Sequence, residues 1–254
     1  MKHFTFVLIM MFGFQLLYAQ NDFTAKEFTT SSNDILKYRE LLPDNYNPEK
    51  QYPLVLFLHG AGERGNDNQA QLRHGSMMFT NPVNQEKYPA IVLFPQCPAS
   101  STWPFEKAPE GSWNNFPKND PISTPLNAVK ELLDQYLEMK SVDKKRIYIL
   151  GISMGGMGTF DMVCRYPDIF AAAIPICGGV ATERLVKAKD VKFRIYHGDA
   201  DMVVSVHNSR NAYKELKKDG AKVEYIEFPG CNHDSWNPAF NRSDFLEWLF
   251  KQKK

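Results

Sequence analysis

Arg146-Ile147-Tyr148-Ile149-Leu150 runs directly into Gly151-Ile152-Ser153-Met154-Gly155-Gly156. A short apolar stretch of strand length meets a G-x-S-x-G pentapeptide, and the residues from Gly156 to Tyr166 read as helix. A serine at so sharp a turn sits in a strained backbone conformation. Glycines two residues to either side remove the Cβ atoms that would strike the neighbouring strand and helix. The hydroxyl then stands above the sheet at a helix N-terminus, where backbone N–H groups favour developing negative charge. Ser153 is therefore the candidate nucleophile.

Working outward, Pro53–Leu58 and Ala90–Phe94 are continuous apolar runs, the pattern of strands buried on both faces. Further strands are expected at Ala171–Ile176, Val191–Tyr196 and Val223–Phe228. Helices are expected where Leu126, Val129, Leu132, Leu133, Tyr136 and Leu137 recur at helical spacing, and over Thr159–Arg165, Val203–Lys218 and Ser243–Phe250. Thr24–Thr30 and Leu36–Leu42 read as two early strands before the turn Pro43-Asp44-Asn45-Tyr46-Asn47-Pro48. Strands alternating with helices from residue 53 onward imply an α/β fold with a mostly parallel sheet covered on both faces. Sites in such folds lie outside the carboxyl ends of the strands. The stretch Gln96–Pro125, rich in Pro, Ser, Asn and Trp without periodicity, is expected to be a long loop over that edge.

The 254 residues suit one large domain, with no linker or charge block dividing them. Hydrophobic residues at 43% and aromatics at 13% suffice for a sizeable core, which excludes a disordered chain. Residues 1–19 read as a secretory signal: Lys2 is the basic start, Phe4–Leu17 the apolar stretch, and Tyr18-Ala19 the small-residue end before cleavage at Gln20. The expected domain is then residues 20–254, secreted or periplasmic and without stable membrane insertion. Removing the leader takes away only Lys2, leaving 29 basic and 29 acidic side chains, a balance that does not favour nucleic acid. Cys97, Cys164, Cys177 and Cys231 permit disulfides, but spacing selects no pairing. With no C-x-x-C and no H-E-x-x-H, no metal site is expected.

An activated serine needs a base, a carboxylate to orient it, and an oxyanion site. His3 lies in the leader; His59 and His197 occupy His-Gly turns; His74 and His207 have no acidic partner at informative spacing. His233, in Pro229-Gly230-Cys231-Asn232-His233-Asp234 after the last strand, is the best general base. Tyr196-His197-Gly198-Asp199-Ala200-Asp201 offers two carboxylates, and each of them also suits the cap of the following helix. The oxyanion donors are expected to be the N–H of Met154 and that of Ala61, in His59-Gly60-Ala61-Gly62-Glu63-Arg64-Gly65.

With these residues in view, the chain resembles the α/β-hydrolases. Within them it resembles the secreted carboxylesterase, dienelactone hydrolase and polyhydroxybutyrate-depolymerase-like group, which includes feruloyl and acetyl-xylan esterases. The resemblance rests on Leu58–Gly65, Pro95-Gln96-Cys97-Pro98, Gly151–Gly156, His197–Asp201 and Gly230–His233. It implies the order Ser153, Asp201, His233, and its His-Gly-x-x-Asp pattern assigns the acid to Asp201 over Asp199. It implies a cofactor-free esterase without a large cap domain, acting on small-molecule or polysaccharide esters. Two rivals share these features: a peptidase of prolyl-oligopeptidase type, and a non-catalytic binding protein on the same fold. Trp103, Phe105, Trp113 and Phe116 in the long loop, and Trp236 beyond His233, are candidate substrate contacts, with Trp103, Trp113 and Trp236 foremost; their rings suit sugars and phenolic acyl groups.

Overall fold

The computed structural model describes residues 23–106, 113–119 and 121–254; the expected leader, residues 1–19, lies outside them. Eight strands form one sheet: β1 (Thr24–Thr29), β2 (Ile35–Leu41), β3 (Tyr52–Leu58), β4 (Ile91–Pro95), β5 (Val142–Ile152), β6 (Ala172–Ile176), β7 (Lys192–Gly198) and β8 (Val223–Phe228). Their spatial order is β1-β2-β4-β3-β5-β6-β7-β8. β1 and β2 pair antiparallel, and β2 joins β4 antiparallel; every pairing from β4 through β3 to β8 is parallel. The α/β-hydrolase expectation is met.

Why the apolar runs had to be central strands is visible in the packing. All seven residues of β3 are buried. Alternate side chains point to opposite faces of a strand, so Leu54, Leu56 and Leu58 enter one core cluster while Val55 and Phe57 enter another. β5 divides likewise, with Ile147 and Ile149 on one face and Tyr148, Leu150 and Ile152 on the other. The first face is covered by helices α3 (Thr124–Leu137), α4 (Met154–Arg165) and α5 (Val206–Lys218), through Leu132, Phe160 and Leu216. The second is covered by α1 (Ser76–Thr80), α6 (Trp236–Phe240) and α7 (Phe245–Lys251), through Phe79, Ala239, Phe245 and Leu249. α2 (Pro82–Lys87) follows α1 and is capped by the Asn81 side chain.

Three short helices, α1, α2 and α6, carry no periodic signal in the sequence, because five or six residues are too few to display a 3.6-residue period. α5 begins at Val206 rather than Val203: Ser205 caps it, and the preceding residues bend back to bond Asp201. The described part of the segment between β4 and α3 contains neither helix nor strand, as expected. All four cysteines are free thiols. Among the described residues, no helix is long and apolar enough to cross a membrane.

Candidate active site

The carboxyl ends of β3, β5, β7 and β8 deliver the site. After β5, Ser153 takes φ 54° and ψ −118°, a conformation that costs on the order of 1–3 kcal/mol. It is held there from both sides: the Ser153 N–H donates to the Ile176 carbonyl at 2.8 Å, and its own carbonyl accepts the first bond of α4 from Met157 N–H at 3.0 Å. The glycine requirement is physical. A Cβ on Gly155 would lie 1.9 Å from the Leu58 carbonyl oxygen, so any larger residue would push β3 and α4 apart.

Beyond β8, Gly230 turns the chain with φ 68° and presents His233 to the serine. Ser153 Oγ lies 2.8 Å from His233 Nε2, and His233 Nδ1 lies 2.7 Å from Asp201 Oδ2. An ionised carboxylate can only accept, so the imidazole carries its proton on Nδ1 and leaves Nε2 free to accept from the hydroxyl. Asn232 ties the two loops together, its Oδ1 accepting from Met202 N–H at 3.0 Å and from His233 N–H at 2.9 Å.

Asp201 has no exposed side-chain surface. Burial works against its ionisation, yet hydrogen bonds from His197 and His233, and from the N–H groups of Val204 and Val203, prevail. Together they hold its carboxyl well below the usual range. Asp199, the other candidate, accepts from Gly230 N–H at 2.6 Å and so fixes the turn that carries His233.

His197, which the sequence places only in a His-Gly turn, is fully buried with Nε2 3.2 Å from Asp201 Oδ2 and 2.9 Å from the Val204 carbonyl. Two acceptors at Nε2 place the proton there, so Nδ1 accepts from the Ser209 hydroxyl at 2.7 Å. His74 likewise has a partner that sequence spacing concealed: Nε2 lies 3.6 Å from Oε1 of the buried Glu63. The His74 ring is 5.3 Å from that of Trp236, whose edge meets His233 at 5.6 Å.

Ala61 opens a short turn, Ala61–Glu63, directly after β3. His59 braces that turn. Its Nε2 accepts from Cys97 N–H at 2.9 Å, which leaves the proton on Nδ1 for the Gly60 carbonyl at 2.6 Å. Burial lowers the His59 pKa to about 4, so the ring is neutral near pH 7. Trp103 is the second brace: its Nε1–H donates to the His59 carbonyl at 3.1 Å.

That placement corrects the reading of Trp103 as a substrate contact. Its side chain is fully buried beside α4 and offers no face to a ligand. Trp113 is half-buried against the core, on a loop whose Asn114 accepts from Ser205 N–H at 2.9 Å and from the Asn208 amide at 2.7 Å. Trp236 stands beside His233. Met154 is the first residue of α4, where a backbone N–H has no intrahelical acceptor.

Residues 46–248 match the model of the phospholipase/carboxylesterase family. The chain belongs to that family. Among its relatives, the carboxylesterase SOBER1 of Arabidopsis thaliana is 26% identical over 79% of this chain and 90% of its own. The bifunctional acetylxylan esterase/xylanase XynS20E of Neocallimastix patriciarum is 25% identical over 78% of this chain, which spans only 27% of that longer protein. A thermostable esterase of known crystal structure is 38% identical with a TM-score of 0.82; the match covers 92% of this chain and 64% of that one. The chain is a serine-type carboxylic ester hydrolase.

Proposed function

We propose that the protein is an exported esterase that cleaves short-chain or aromatic carboxylic esters through Ser153, His233 and Asp201. One observation carries the reading: the unbroken line from Ser153 Oγ to His233 Nε2 at 2.8 Å and from His233 Nδ1 to Asp201 Oδ2 at 2.7 Å. His233 takes the hydroxyl proton as Ser153 attacks the ester carbonyl, a step for which a placed base supplies about 10²–10⁴-fold. Asp201 fixes the imidazole tautomer and stabilises the imidazolium that forms. The N–H groups of Ala61 and Met154 receive the tetrahedral oxyanion; one such donor contributes about 3–4 kcal/mol. His233 returns the proton to the leaving alcohol, then activates the water that cleaves the acyl-enzyme. These steps call for no cofactor.

Residues 20–254 form the catalytic domain in this reading, released from the leader at residues 1–19. The favoured substrates are acetyl or hydroxycinnamoyl esters on plant polysaccharide. Supporting this are the ring of Trp236 beside His233, the aromatic residue Trp113, and the acetylxylan esterase named among the relatives. The assay is hydrolysis of p-nitrophenyl acetate, acetylated xylan, methyl ferulate and a chromogenic peptide by wild type and Ser153→Ala. Ester turnover that falls by orders of magnitude in the variant is expected. Preference for the peptide would favour the peptidase reading, and inactivity on every carbohydrate ester would remove the proposed substrate class.

A further inference from the structure

Two residues from two other loops converge on the proposed base. Cys177 follows β6, Asp201 follows β7 and His233 follows β8, and one potential ligand atom of each lies within 4.8 Å of the other two. Cys177 is placed there by its backbone. It adopts φ 40°, a left-handed conformation that a non-glycine residue rarely takes, and its N–H is fixed to the Tyr196 carbonyl at 2.8 Å. Its thiol is fully buried and reaches the His233 carbonyl at 3.8 Å. The mechanism proposed above makes no use of it.

We propose that Cys177 Sγ, His233 Nδ1 and an Asp201 oxygen form an inhibitory site for a thiophilic divalent cation such as Zn²⁺ or Cd²⁺. The inhibitory half rests on His233 acting as the base for Ser153; the binding half does not. A thiolate, an imidazole and a carboxylate are the donor set such ions select, and hard cations such as Mg²⁺ do not take it. With bonds of about 2.0–2.3 Å, tetrahedral ligands stand roughly 3.3–3.7 Å apart, so closure from the present arrangement needs shifts of about an ångström. Of the three side chains only that of His233 is partly exposed, at 20%, so the ion enters along the imidazole.

The proton balance explains the inhibition. The neutral imidazole moves its proton from Nδ1 to Nε2 and gives Nδ1 to the metal. The Cys177 thiol releases its proton to solvent as the S–metal bond forms, and Asp201 is already ionised. Nε2 then bears hydrogen and can no longer accept from Ser153.

The test titrates Cd²⁺ into wild type, Cys177→Ala, Cys177→Ser and Cys231→Ser, each rate normalised to that variant's own metal-free rate. Cys231 is the control thiol, because it lies on the His233 loop with Sγ 3.6 Å from Asp234 Oδ1. Binding is read separately by the ultraviolet cadmium–thiolate charge-transfer absorption. Wild type and Cys231→Ser should show both absorption and inhibition, and both Cys177 variants should require roughly 10–100-fold more Cd²⁺. Mg²⁺ should do nothing. Undiminished sensitivity in both Cys177 variants, or absorption lost in Cys231→Ser, overturns the site. Absorption that requires Cys177 without loss of rate overturns the inhibitory half and places the error in the assignment of His233 as base.

Discussion

His197 Nε2 stands 3.2 Å from Asp201 Oδ2, the oxygen that also faces His233 Nδ1 at 2.7 Å. The carboxylate is thus gripped by two imidazoles, while its Oδ1 accepts from Val203 and Val204 N–H at 2.8 and 2.9 Å. Four donors on one buried carboxylate favour its ionised form. Replacing His197 with Phe removes one of them and strands the Ser209 hydroxyl and the Val204 carbonyl in the core. Stability should fall by about 2–3 kcal/mol, because a buried polar group without a partner costs about 1–3 kcal/mol. Turnover should fall by about tenfold, as Asp201 gains freedom rather than losing its charge. Thermal unfolding and kcat on p-nitrophenyl acetate check the two parts.

Asp201 and Asp199 should respond differently to amide substitution. Asp201→Asn presents a neutral group to His233, favours the wrong tautomer and should cost about 10³–10⁴-fold in kcat. Asp199→Asn keeps an oxygen that can accept from Gly230 N–H, so the loss should stay below about tenfold. A larger loss at residue 199 in the kcat comparison would reverse the assignment of the acid.

Acid should weaken the fold through His59. The unfolded imidazole takes up a proton as pH falls through about 6.5, whereas burial lowers the folded value to about 4. Stability from this ring is therefore fully present above the unfolded value and is lost progressively until pH reaches the folded one. The loss is on the order of 3 kcal/mol across that window. Urea midpoints measured from pH 7 to pH 4 should drop more steeply in wild type than in His59→Gln, whose amide cannot titrate. Parallel curves for the two proteins would exclude this origin.

Gly155 and Gly62 make a controlled pair. A Cβ at Gly155 would fall 1.9 Å from the Leu58 oxygen, while one at Gly62 would have no neighbouring atom within 4 Å. Gly155→Ala should cost several kcal/mol and most of the activity, since backbone must move. Gly62→Ala should change stability by no more than about 0.5 kcal/mol. Melting temperatures of the two variants, with esterase rates at 25 °C, test the contrast.

Much of this protein was legible in the chain itself. Apolar runs such as Leu54–Leu58 and Ile147–Leu150 can be satisfied only by burial on both faces, which sets the parallel sheet. The glycines around Ser153 announce the sharp turn because no other residue fits there. Strand order along the chain also placed Asp201 and His233 at one edge, although residue spacing left Asp199 and Asp201 open until the family pattern was applied.

What the tertiary structure alone decided are contacts that residue spacing does not announce. The turn after β7 folds Asp201 back onto His197, the segment after β3 folds His74 onto Glu63, and Cys177 comes beneath His233 across 56 residues because β6 and β8 end at the same edge. Trp103 is buried behind His59 rather than facing substrate, a difference set by where an aperiodic loop folds back. Local sequence fixes which backbone conformations and which faces are allowed. Only the assembled sheet brings its carboxyl ends within hydrogen-bond reach of one another, and that juxtaposition selects one carboxylate, one base and one serine.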